Sequence, residues 1–155
     1  MAFEGLFYLC PPQLALVLMK NFLLFLSFWL LVTTGYAARY YVKIDGNDTN
    51  DGQSWNTAFA TLQKALESTT GANDEIWVAK GTYYPTVRSS SSNSRSVTFA
   101  MKNGVAIYGG LAGTENTLTD RIFTLIHSTN KTVLSGDVDM DGFLDNENAF
   151  QVIRN

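Results

Sequence analysis

Histidine and cysteine occur once each, as His127 and Cys10, and proline three times, in a chain of 155 residues. A lone cysteine excludes an internal disulfide and a cysteine-based zinc site. Positive charge is also in short supply, with 11 Lys and Arg against 14 Asp and Glu, a formal charge of −3. Without a basic footprint the chain is read as binding no nucleic acid and having no general attraction to anionic lipid. Long apolar runs are missing too. Phe22 to Val32 is an apolar run of eleven residues broken only by Ser27, whereas a membrane-spanning helix takes roughly 17–25. At this length one domain at most is expected.

What is present is unevenly spread. Ten of the seventeen leucines fall in the first 31 residues. From Met19 the chain shows a positive Lys20, the apolar run, a more polar Thr33–Tyr36, and small Gly35 and Ala37 at −3 and −1 of a cleavage point. That three-part order is the pattern of a secretory signal peptide over residues 19–37, cut between Ala37 and Ala38. Residues 1–18 fit no part of it and read as an over-extended start, so translation is expected to begin at Met19. The remaining segment, residues 38–155, carries no cysteine and is expected to fold in an oxidising compartment without disulfides. The expected location is secreted or cell-surface, with no stable membrane span after cleavage.

In that segment Tyr40–Asp45 alternates as a strand, with Tyr40, Val42 and Ile44 on one face. Gly46–Gln53 is a loop of turn formers. Asn56 or Thr57 is placed to cap a short helix through Ser68, in which Phe59, Leu62, Ala65 and Leu66 make one stripe. Short strands follow at Glu75–Lys80, Thr82–Tyr84, Ser96–Met101, Val105–Tyr108, Thr132–Ser135 and Phe150–Ile153. A serine-rich loop lies at Arg88–Arg95. Strands of this length, several ended by Gly or Asn, point to an all-β solenoid in preference to an antiparallel sandwich. The sequence stops inside a strand signal, so a truncated solenoid is expected, its last rung open.

Four stretches carry a family resemblance. Tyr40–Lys43 with Asn50–Trp55 is similar to an opening strand and its Asp-Gly-x-Ser-Trp loop, and Ala58–Leu66 looks like a short capping helix. Glu75–Tyr83 resembles a first rung ending in Gly-Thr-Tyr; Val105–Glu115 and Leu134–Asp137 resemble later ones. Together they resemble the N-terminal region of secreted right-handed parallel β-helix proteins of the pectin-lyase-like superfamily. The apolar stretch Ile122–Ser128 departs from the pattern. The resemblance implies the start of a right-handed parallel β-helix with a short N-terminal capping α-helix. It also implies a surface or adhesin type of protein, as found in Gram-negative bacteria.

The strongest chemical pattern is Asp137-Val-Asp139-Met-Asp141-Gly142-Phe-Leu-Asp145. Oxygen ligands at positions 1, 3, 5 and 9, with glycine at 6, match most of a calcium loop. Position 12 is Asn148 where a glutamate is usual, which removes the bidentate carboxylate. Asp137, Asp139, Asp141 and Asp145 are therefore the candidate metal ligands and calcium the candidate ion, against a plain solvated acidic turn. A weaker cluster is Asp45, Asp48 and Asp51 with Asn47 and Asn50, residues that tight loops also favour. Glycoside cleavage would use two of Asp137, Asp139 and Asp141; a lyase would need a base such as Arg121, Lys131 or Arg154. No spacing singles out a catalytic set, so the segment is read as non-enzymatic, with a structural or adhesive role towards a glycan or surface protein. The alternative is a polysaccharide lyase or glycosidase with its active residues mostly downstream. Trp55, Trp77, Tyr83, Tyr84 and Tyr108 could stack on sugars or fill a core. His127 reads as a packed or surface residue, and Asn47 and Asn130 head N-glycosylation sequons.

Overall fold

In the computed structural model the described residues are 37–71, 73–122, 129–143 and 145–154. The leader up to residue 36, Cys10 and His127 lie outside them. The first strand, β1 (Arg39–Val42), leads through the turn-rich loop to helix α1 (Leu62–Ser68) and then to β2 (Glu75–Ala79). β1 and β2 pair in parallel, Tyr40 opposite Ile76 and Val42 opposite Val78. Two parallel neighbours need a crossover between them, and α1 supplies it. The helix starts at Leu62 because Thr61 is its N-cap, the Thr61 hydroxyl accepting from the Lys64 N–H. Trp55–Thr57 is a separate 3₁₀ turn capped by Ser54. Phe59 is thus not on the helix; it lies in an extended piece bridged to Val42.

Four short strands and a longer one complete the fold: β3 (Gly81–Tyr83), β4 (Phe99–Ala100), β5 (Ala106–Leu111), β6 (Thr132–Leu134) and β7 (Ile153–Arg154). β5 adds in parallel to β2, giving the order β1-β2-β5, while β3 pairs with β6 and β4 with β7. The core sits between α1 and the sheets, where Val42, Phe59, Leu62, Ile76, Val78 and Phe99 are buried. Each such side chain contributes about 1.5–3 kcal/mol on burial.

The expected all-β right-handed parallel β-helix is not what the chain builds. Among the described residues, strands of two to six residues make three separate small sheets, of three, two and two strands, without continuous solenoid stacking. One α-helix and three 3₁₀ turns are interspersed among these described strands. The physical reason is that long irregular excursions separate the strands, and the longest pairing breaks register between Trp77 and Ala79, opposite Gly109-Gly110. Gly110 there has φ of +78°, open to glycine at little cost. The sandwich alternative fails as well, since every strand pair among the described residues is parallel, with the antiparallel Arg88–Val97 contact an isolated bridge. Expected strands also shrink: Ser96–Met101 keeps only Phe99–Ala100, because Ser94–Ser96 forms a 3₁₀ turn. Among the described residues no helix is long and apolar enough to cross a membrane.

Candidate metal centre

The acidic segment leaves β6 at Ser135 and returns at Ala149, whose N–H donates to the Gly136 carbonyl at 2.7 Å. Within this closed loop Met140 and Gly142 have φ of +63° and +83°, which lets the chain reverse around its own carboxylates. Asp137, Asp139 and Asp141 each bring one oxygen to a common point, all within 4.8 Å of one another. The Gly142 N–H donates to Asp137 Oδ2 at 2.9 Å and the Phe143 N–H to Asp141 Oδ1 at 2.8 Å. Desolvation, a hydrogen bond shared with Asp137, and repulsion from Asp141 and Asp145 raise the Asp139 pKa above its ordinary value. A carboxylate crowded by like charges resists ionisation in this way.

Asp145 stands outside the converging set. Its Oδ1 accepts from the Glu147 N–H at 2.8 Å and from Asn148 Nδ2 at 3.3 Å, although its charge still reaches Asp139. Asn148 also donates to the Phe143 carbonyl. Two oxygens of this loop, Asp137 Oδ1 and Asn148 Oδ1, are shut off from solvent without a hydrogen-bond partner. They belong to the first and twelfth positions of the loop pattern. Buried acceptors normally have a partner, and an all-oxygen donor set suits a hard divalent cation. The Asp137, Asp139 and Asp141 set is thus one that could hold a metal ion, with Asp139 and Asp141 exposed. Around the loop Met140, Phe143 and Phe150 are exposed to 62%, 71% and 64%.

The serine-rich loop meets this segment at its return. Arg95 Nε donates to the Asn148 carbonyl at 2.7 Å, the Phe150 N–H donates to the Arg95 carbonyl at 3.0 Å, and the guanidinium lies 4.2 Å from the Phe150 ring centroid. The Asp45–Asp51 loop is built differently. Asp48 accepts from the Ala60 and Thr61 N–H groups and the Thr61 hydroxyl, Asp51 from the Gln53 N–H, and Asn47 from Thr49. Its side chains fasten the loop to the start of α1, and among the described residues only the 137–141 cluster gathers ligand atoms closely.

The aromatics mostly serve the sheet. Tyr41, Trp77 and Tyr108 stand in register across β1, β2 and β5; Arg39 covers the Trp77 ring at 4.1 Å, and Trp77 and Tyr83 are buried. Trp55 packs edge-on against Tyr41 and donates its Nε1–H to the Glu115 carbonyl. The candidate lyase base Arg121 donates to the Gly109 carbonyl, beside an open hollow of about 720 Å³ whose described lining includes Ile107 and Leu134 but no carboxylate. Sequence reasoning missed Glu115 altogether. Burial opposes its charge, but the N–H groups of Ala112, Thr114 and Gly113 outweigh that and hold its pKa below the usual value. The glycine in Ala112-Gly113-Thr114-Glu115 was the available signal for such a turn.

No known protein family, curated protein or solved structure matches this chain.

Proposed function

We propose that the chain is an exported, non-catalytic module of the cell surface that binds a glycan or protein partner through the 136–150 loop, organised by calcium. The carrying observation is the convergence of Asp137, Asp139 and Asp141 oxygens within 4.8 Å, beside the unpartnered buried oxygens of Asp137 and Asn148. Calcium would supply the positive charge that lets these carboxylates stay ionised together. Asp137, Asp139 and Asp141 would hold it, with Asn148 closing the loop. Exposed Met140, Phe143 and Phe150 give that loop apolar contact area of the kind that binding surfaces use. Glycoside cleavage calls for two carboxylates set apart across a bound sugar; converging oxygens favour ion binding over that chemistry. The export half of the reading is supported by the leader pattern before Ala38 and by the resemblance to secreted pectin-lyase-like proteins.

Calorimetric titration of the exported chain with calcium should show a saturable heat that Asp139→Ala abolishes. A glycan and surface-protein array probed with and without a calcium chelator should then show calcium-dependent retention. Absence of heat from the wild type removes calcium from the reading. Heat without any calcium-dependent retention removes the adhesive role.

A further inference from the structure

We propose that cleavage between Ala37 and Ala38 creates an α-ammonium group that pairs with the buried carboxylate of Asp74, making the new chain end a lock between β1 and β2. The inference rests on the export reading and adds to it a structural consequence of processing. The Ala38 nitrogen already lies 2.8 Å from Asp74 Oδ1, although the two residues are 36 positions apart. The Ala38 carbonyl accepts from the Glu75 N–H at 2.8 Å, so the residue is held on both sides. The β1–β2 register begins with the next pair, Arg39 opposite Glu75.

Asp74 is an unusual group to find there. It is 1% exposed, and Oδ2 accepts from the Thr70 N–H at 2.7 Å and the Thr70 hydroxyl at 3.1 Å. Burial works against its charge, but the N–H groups of Ala38, Thr70 and Gly71 and the Thr70 hydroxyl hold its pKa below the ordinary value. It is thus an ionised, buried carboxylate surrounded by neutral donors. Among the described residues it belongs to no ion pair. The charged side chains of the packed elements are engaged elsewhere: Arg39 with Glu75 at 2.9 Å, and Lys102 with the Glu67 and Thr69 carbonyls. A buried charge of this kind is ordinarily paired.

Processing supplies the missing cation without moving an atom into place. A leader peptidase adds water across the Ala37–Ala38 amide; the C–N bond breaks, Ala37 leaves with a carboxylate, and the Ala38 amine takes up a proton. The ordinary pKa of an α-amine is about 7.7–8.0, so the new end is largely charged at neutral pH. One neutral amide donor to Asp74 becomes an ammonium donor on the same oxygen, and the hydrogen bond becomes charge-assisted.

The test begins with the whole chain, leader included, made in a secreting host. Intact mass of the exported product should place its first residue at Ala38. Selective acetylation of that α-amine should lower the thermal midpoint by about 4 °C or more, and should change it little in Asp74→Asn. Should Asp74→Asn fail to fold, the wild type still decides: NMR titration of a ¹³C-methylated α-amine, which keeps its charge, should give a pKa above the ordinary range. A product that starts at Ala38 but titrates normally and tolerates acetylation overturns the ion pair and leaves export standing. A product that starts elsewhere, or keeps its leader, overturns the cleavage step and the lock with it.

Discussion

Single carboxylates in this chain act mainly on backbone N–H groups. Asp48, Asp74, Glu115 and Asp120 each collect two or more donors, whereas the ion pairs among the described residues are Arg39–Glu75 and Lys43–Asp45. Glu115 is the clearest case, since its side chain ties Ala112, Gly113 and Thr114 while its carbonyl receives Trp55. Glu115→Gln should cost about 1–3 kcal/mol, read by urea unfolding at pH 7. The sign with pH follows from the lowered pKa. A carboxylate whose folded pKa is depressed contributes its full stability above its unfolded pKa and loses it as pH falls through the folded value. The wild-type advantage over Glu115→Gln should therefore hold at neutral pH and shrink on acidification below about pH 4.

At the scale of elements, turn chemistry was legible and backbone conformation less so. Gly46–Gln53 is a loop because almost every residue in it is a turn former, and Asp137–Asp145 advertises its oxygens through their alternation. The apolar stripe through Phe59, Leu62, Ala65 and Leu66 does name buried side chains. It says nothing of whether Phe59 reaches the interior from a helix or from an extended piece, and here it does so from the latter. Nor does any local pattern reveal that Asp48 reaches twelve and thirteen residues onward to Ala60 and Thr61. That reach ties the loop to the N-cap residue of α1 and the residue before it. Asp48→Ala should lower stability by about 1–3 kcal/mol, and hydrogen exchange should speed up at the Ala60 and Thr61 amides while β2 keeps its protection.

At the scale of the whole molecule, short apolar segments fix neither register nor the number of strands per sheet, since each can satisfy its burial in several pairings. The solenoid expectation failed at that level, where Phe99–Ala100 with Ile153–Arg154 forms a sheet of its own. A two-residue strand pair contributes little by itself, so the contacts beside it must help to hold the 136–150 loop in place. Arg95 is positioned for this, joined to the Asn148 carbonyl, to the Phe150 N–H and to the Phe150 ring. If calcium closes the acidic loop through Asn148, the effect passes through these contacts to the serine-rich loop. Limited proteolysis should then show calcium slowing cleavage in both loops of the wild type. In Arg95→Ala, calcium should still protect 136–149 but no longer 88–96, because the link is cut while the carboxylates remain. Equal protection of both loops in the variant would mean that they respond to the ion separately.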